Sequence, residues 1–285
     1  MQRGNAMTIG EWLRRAVGIL KSSGCPDPRI DAYWLVENTL KITRTQLHFQ
    51  SGLMLEDAQL ERLNQLLSQR STGIPVQYLL HSAYFMGMEF YVDDRVLIPR
   101  QDTETLVESA VDALRGLHEP RLLDLCTGSG AIGLSIKALM PNVRVTLTDI
   151  SADALDVAHI NARALNVDVD IRQGDLLSAV ANERFDFILS NPPYIPRKDL
   201  GMLQKEVLHE PELALNGGED GLDFYRRIAE AANEHLNPGG FLFLEVGIGE
   251  AAAVLDMVTK QLPCIHSGIQ NDLNGIPRVV WARSG

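Results

Sequence analysis

Cysteine is scarce in this 285-residue chain, and its three copies, Cys25, Cys126 and Cys264, lie far apart with no CxxC spacing. That pattern excludes a disulfide framework and a zinc site, and it fits small buried residues in a reducing compartment. Positive charge is also short. Lys+Arg number 26 against 37 Asp+Glu, a formal net charge of −11, which disfavours non-specific binding to duplex DNA, where Lys and Arg meet phosphates. A local basic patch stays compatible with that balance. No apolar run approaches the roughly 20 residues a membrane span needs, and Glu11, Arg14 and Arg15 stand where a secretion signal would be apolar. The seven histidines show no HxxxH-type spacing, so no metal site is expected. There is no internal repeat and no low-complexity segment. What remains is ordinary for a cytoplasmic globular protein, 45% hydrophobic and 22% charged, and its length suits two domains.

The first part reads as helical. "TIGEWLRRAVGILKSSG" places Ile9, Leu13, Val17 and Leu20 on one face with Gly24 as a stop. "DPRIDAYWLVENTL" repeats the pattern through Ala32, Leu35, Val36 and Leu40, and "EDAQLERLNQLLSQR" through Leu60, Leu63, Leu66 and Leu67. Short connections make this an antiparallel bundle over residues 1–75, with 1–7 patternless. Residues 76–100 read as a linker in which "AYFMGMEFYV" turns at Gly87 as a β-hairpin. Over 101–285, after a helix entered through Asp102 or Thr103, strands and helices alternate. The fold class is therefore α/β, a mostly parallel sheet with helices on both faces.

In such a sheet ligands bind beyond the carboxyl ends of the strands. The first strand ends in "DLCTGSGAIG", where Gly128, Gly130 and Gly133 give GxGxxG spacing. Glycines allow a sharp turn and close approach to a ligand. Asp149 ends the second strand about 20 residues on, where an acid can accept both ribose hydroxyls. This pattern fits NAD as well as S-adenosylmethionine, or a tight turn with no ligand. No Walker lysine follows, which argues against a nucleoside triphosphatase. Gly174-Asp175-Leu176 ends the third strand and Asn191-Pro192-Pro193-Tyr194 the fourth. Ligand-type residues at four successive strand ends are hard to attribute to packing.

Pro193 forces Pro192 into extended backbone, and Pro192 does the same to Asn191. The Asn191 side-chain carbonyl and the Pro192 backbone carbonyl then offer two acceptors for a planar –NH₂ group, and Tyr194 can stack on its π-face. The target is a conjugated amine, either an amide or the exocyclic nitrogen of a base. Such a nitrogen is a poor nucleophile, and accepting both of its N–H bonds concentrates electron density on it. Arg100, Glu104, His209 and Glu210 are further candidates at the site or its entrance.

The chain resembles the HemK/PrmC protein-glutamine N5-methyltransferases, within the Rossmann-like class I S-adenosylmethionine-dependent methyltransferases. The resemblance covers nearly the whole chain, through "GIPVQYLL", "FMGMEFYV", "VLIPRQDTE", "DLCTGSGAIG", "NPPYIP", "EPELAL", "GGEDGLDFYRRI" and "GIPRVVWAR". The Asn-Pro-Pro-Tyr turn alone is shared with DNA adenine methyltransferases. His81 and Gln101 depart from the family, standing where glycine and proline are expected. The resemblance implies that residues 1–75 dock the protein substrate and that 101–285 form the methyltransferase domain. It implies that Cys126, Thr127, Gly128, Ser129, Gly130, Asp149, Asp175, Leu176 and Asn191 bind S-adenosylmethionine, with Leu176 near the adenine. Asn191, Pro192, Pro193 and Tyr194 hold the substrate glutamine, and Asn191, Pro192 and Tyr194 carry the chemistry. The implied partner is a peptide chain release factor methylated in its Gly-Gly-Gln loop, with no direct nucleic acid, no membrane and a monomeric enzyme. A ribosomal protein is the alternative substrate, and an adenine N6-methyltransferase a more distant one. A non-catalytic binding module would have no need of the Asn-Pro-Pro-Tyr turn.

Overall fold

The computed structural model describes residues 7–285, so the patternless 1–7 stretch lies outside the described residues except for Met7. The chain forms two compact units. One is the chain up to His81 together with Gln204–His209, and the other is Ser82–Leu203 with Glu210–Gly285.

The first unit is helical: α1 (Ile9–Ser22), α2 (Pro28–Leu40), α3 (Arg44–Gln50), α4 (Asp57–Ser71) and α5 (Val76–Leu80). Thr8 and Glu11 cap α1 reciprocally, Glu11 N donating to Thr8 Oγ1 at 3.3 Å and Thr8 N to Glu11 Oε2 at 2.8 Å, the capping-box arrangement. Leu13, Leu20, Leu35, Val36, Leu63, Leu66 and Leu67 are buried together, around a fully buried Trp12. Each such side chain contributes roughly 1.5–3 kcal/mol by leaving water. Residues 76–80, which the sequence places at the start of the linker, are helical and belong to this unit. Arg70, at the end of α4, is buried and bonds to Asp31 Oδ2 at 2.6 Å and Glu206 Oε1 at 2.8 Å.

The second unit opens with the hairpin β1 (Ala83–Phe85) and β2 (Met88–Phe90). It turns through Met86 and Gly87, both at positive φ, in register Phe85 opposite Met88. There follow α6 (Glu104–Leu114), β3 (Arg121–Leu125), α7 (Ala131–Leu139), β4 (Arg144–Asp149), α8 (Ala152–Ala164), β5 (Asp170–Gln173) and β6 (Phe185–Ser190). The chain continues through α9 (Glu212–Leu215), α10 (Asp223–His235), β7 (Leu236–Glu245), α11 (Ala251–Gln261), β8 (Cys264–Asn271) and β9 (Pro277–Ser284). Strand order is β5-β4-β3-β6-β7-β9-β8, parallel from β5 to β7, with β9 antiparallel to both its neighbours. Leu123, Leu125, Ile188 and Leu244 pack on the α10–α11 side. Leu122, Leu147, Phe187 and Phe243 pack on the α6–α8 side. This two-sided burial is why the strands read as continuous apolar runs.

Two elements differ from the sequence reading. Pro238-Gly239-Gly240, a turn-type run by composition, lies inside β7 as an irregularity between the pairs Phe185–Leu236 and Phe187–Phe241. The edge strand β8 has almost no buried residue, so it carries no apolar alternation to announce it.

Candidate active site

The chain runs outward from β3 through β4 to β5, then returns to β6 on the other side of β3. That reversal opens a crevice at the carboxyl ends of β3 and β6. The register holds Leu125 opposite both Thr148 and Ser190. Cys126, Asp149 and Asn191 therefore leave the sheet side by side. Cys126, Gly128, Asp149, Asp175, Leu176 and Asn191 line a cavity of about 180 Å³, as does Pro193. Thr127, Ser129 and Gly130, also expected at the site, are buried behind this surface. Pro192 is buried and Tyr194 half-buried, and neither lines the cavity.

The glycine loop bends through left-handed backbone at Cys126, Gly128 and Gly130, with φ of 56°, 54° and 83°. A Cβ on Gly128 would meet nothing within 4 Å, whereas one on Gly133 would strike Leu147 Cδ2 at 2.2 Å. The first glycine thus leaves open space, and the last lets α7 sit on the sheet. Two carboxylates hold the loop. Asp149 Oδ2 accepts from Gly128 N at 2.9 Å and Oδ1 from Ser151 N at 3.0 Å. Burial raises the Asp149 pKa, while the N–H groups of Ser151, Gly128 and Ile150 favour its charged form. Asp124 Oδ2 accepts from Thr127 Oγ1 at 2.6 Å and Gly133 N at 3.0 Å. Asp124 is fully buried, which pushes its pKa up to about 7. Its sequence signal was a lone acid inside the apolar strand "RLLDLC". Burial likewise pushes the Cys126 thiol up, so it stays neutral.

The turn after β6 is backed by a segment that the sequence assigned no structural task. Ile195 N donates to Leu215 O and Gly217 N to Ile195 O, both at 2.9 Å, and Arg197 N to Gly218 O at 2.8 Å. A Cβ on Gly217 would stand 2.6 Å from Tyr194 Cα, and one on Gly221 would stand 2.4 Å from Tyr194 O. The "GGEDG" glycines therefore exist to let a second strand of backbone press against the turn. Tyr194 packs on the apolar core, and burial pushes its phenol up to about 12. Asn191 Nδ2 donates to Thr103 Oγ1 at 3.3 Å, which fixes the amide's orientation. Along the sequence Thr103 reads only as a helix start.

Arg100 pairs with the buried Glu210 at 2.5 Å. Glu104, expected near an entrance, instead accepts from Met86 N at 2.6 Å and pins the hairpin turn. His209 belongs to the helical unit and does not line the cavity. Asp175 lines the cavity while paired to Arg227 at 2.6 Å.

Residues 101–219 match the Methyltransferase small domain family, and residues 11–80 match the PrmC N-terminal domain family. A solved 16S rRNA N2 G1207 methyltransferase of T. Thermophilus shares the fold with a TM-score of 0.51, at 17% identity over 72% of this chain and 50% of that one. Among the described residues no helix is long and apolar enough to cross a membrane. The release factor glutamine methyltransferase of Geobacter sulfurreducens is 40% identical over 96% of this chain and 95% of its own. That of Xylella fastidiosa is 44% identical over 90% and 93%. With this likeness running through both units, the chain belongs to the release factor glutamine methyltransferase family.

Proposed function

We propose that the enzyme transfers a methyl group from S-adenosylmethionine to the side-chain amide nitrogen, N5, of the glutamine in the Gly-Gly-Gln loop of peptide chain release factors. The observation that carries the reading is the juxtaposition at one sheet edge of a glycine loop, a ribose-type acid and an Asn-Pro-Pro-Tyr turn around one cavity.

The residues present fit the cofactor. Asp149 accepts from the loop at Gly128 N with Oδ2 and from the α8 cap at Ser151 N with Oδ1, and keeps further lone pairs for two hydroxyl donors. Ile150, Ala154 and Leu176 supply apolar wall for a base. Gly128 leaves its side of the loop open. Cys126, Thr127, Ser129, Gly130 and Asp175 complete the set we assign to the cofactor, with Asn191 between cofactor and substrate. The bound sulfonium supplies an electrophilic methyl carbon.

The chain's own task is to make an amide nitrogen reactive. Asn191 Oδ1 and the Pro192 carbonyl accept the two amide N–H bonds, and Pro193 and Tyr194 complete the substrate wall. Acceptors fixed in advance stabilise the positive charge that develops on nitrogen, without reorganising at the moment of reaction. No base is required before transfer, because the methylated cationic amide loses its proton readily to solvent. The helical unit docks the remainder of the release factor, and its exposed Phe49 and Ile30, beside Arg29 and Arg44, form a surface suited to that task. We place the reaction in the cytoplasm, where release factors act, and assign no nucleic acid to it.

The test is mass spectrometry of intact release factor, chromosomal DNA and ribosomal proteins after incubation with enzyme and methyl donor. One added methyl on the loop glutamine is expected. Methylation of adenine, or of a ribosomal glutamine with none on the release factor, overturns the reading.

A further inference from the structure

Glu210 is 6% exposed and accepts from Arg100 Nη2 with Oε1 at 2.5 Å, while its Oε2 is buried without a hydrogen-bond partner. The Arg100 side chain stays 39% exposed. A buried carboxylate bonded through one oxygen adds little stability, and a well-packed apolar residue would serve the core as well. The place of the pair says more. Arg100 O accepts from Thr103 N at 3.2 Å, and Thr103 Oγ1 accepts from Asn191 Nδ2 at 3.3 Å. Arg100 therefore sits one turn of chain from the residue that holds Asn191. Leu97, just before it in the chain, and Pro211, next to Glu210, both line the cavity.

The turn is rich in acceptors and poor in donors. Pro192 and Pro193 have no backbone N–H, and Asn191 Nδ2 is committed to Thr103. An extended peptide that delivers a glutamine side chain to Asn191 brings its own backbone carbonyls with it, and polar groups that leave water need partners. A guanidinium carries its donors in a rigid planar fork, suited to two acceptors at once. Among the described residues the Arg100 side chain makes one hydrogen bond, to Glu210, so the rest of its fork is unassigned. We propose that Arg100 is a substrate-binding residue, which donates to backbone carbonyls of the glycines preceding the substrate glutamine, and that Glu210 is the positioning residue that holds its fork in place. A flexible arginine would lose side-chain freedom on binding, and an anchor fixed in advance removes part of that cost. Burial pushes the Glu210 carboxyl up, while the Arg100 guanidinium beside it favours its charged form. The inference rests on the Gly-Gly-Gln reading and names a contact within it.

The experiment compares Arg100→Ala, Arg100→Lys and Glu210→Gln with the parent in the full-length enzyme. It measures kcat and KM on intact release factor, cofactor affinity by calorimetry, and folding by circular dichroism. In Arg100→Ala the KM should rise about tenfold or more, as for loss of charge-assisted hydrogen bonds to substrate, with kcat and cofactor affinity within about twofold, the pattern of lost uniform binding. Arg100→Lys keeps the charge and loses the fork, so most of the rise should persist. Glu210→Gln, whose amide oxygen still accepts, should give a smaller rise. Parent KM in a folded Arg100→Ala, or a fall in kcat with KM unchanged, overturns the proposal. Full rescue by Arg100→Lys overturns the fork, and parent KM in Glu210→Gln removes the positioning role. Absence of release factor methylation by the parent enzyme instead removes the reading beneath. Should Arg100→Ala not fold because Glu210 is left buried and unpaired, the double variant Arg100→Ala/Glu210→Gln decides, and parent KM there overturns the proposal.

Discussion

The loop after β3 and the turn after β6 leave neighbouring parallel strands opposite one another, Leu125 beside Ser190, yet they keep their shapes by different means. The loop is locally permissive. It turns through left-handed backbone at Cys126, Gly128 and Gly130, a conformation that costs a non-glycine residue such as Cys126 about 1–2 kcal/mol. Two buried or half-buried acids clamp it from below, Asp124 on Thr127 and Gly133, and Asp149 on Gly128. The turn is locally stiff. Its prolines set its backbone in advance, and among the described residues no acid accepts a hydrogen bond from it. What it needs is room for a second backbone to back it, and Gly217 and Gly221 supply that room. A permissive sequence needs clamps from the tertiary structure, whereas a stiff one needs only clearance. The first arrangement suits a site shaped around a ligand, and the second a site whose acceptors must not move during reaction.

Substitutions at the two places should therefore separate binding from chemistry. The largest effect is expected at Asn191. Asn191→Ala should lower turnover by about 10²–10³, as for removal of a preorganised polar group from a transition state, with cofactor affinity nearly unchanged. Steady-state kinetics beside calorimetry reads both, and a parallel loss of affinity would merge the two regions into one.

Next in size is the clamp. Asp124 has its folded pKa raised to about 7 from an ordinary 3.8. Between those values the native state keeps a proton that the unfolded state releases. Its contribution to stability thus falls as pH rises from about 4 to about 7, by at most about 1.4 kcal/mol per pH unit. Asp124→Asn should flatten that part of the curve in urea unfolding at pH 5, 6, 7 and 8. Parallel curves for the two proteins would show that Asp124 is not what ties the loop to pH.

The smallest effect concerns Asp149. Asp149→Ala should weaken cofactor binding about tenfold or more, by loss of charge-assisted hydrogen bonds, and leave kcat at saturating cofactor close to that of the parent. Unchanged affinity in a folded variant would remove the ribose role. A fall in kcat as large as that of Asn191→Ala would show that the two loops act as one device.

Much of this was legible along the chain, because it depends on neighbours in sequence. The glycine spacing, the acid at the end of β4 and the stiffness of Asn191–Tyr194 are properties of a few consecutive residues, and strand–helix alternation with parallel strands brings them to one edge. Even the departure at His81 made local sense once φ was known: it ends α5 at +53°, where glycine is the unstrained choice. What the tertiary structure alone decided lies between residues far apart in sequence. Thr103 meets Asn191 across 88 positions, and Arg70 meets Glu206 across 136. His209 and Glu210, adjacent in sequence, fall into different units. The exposed edge strand β8 left no pattern to read. Local preference is set by the steric freedom of each residue and its neighbours, so sequence determined the turns. A clamp or a long-range hydrogen bond is set by which buried groups must find partners, and that depends on strand order and register, which only the folded chain fixes.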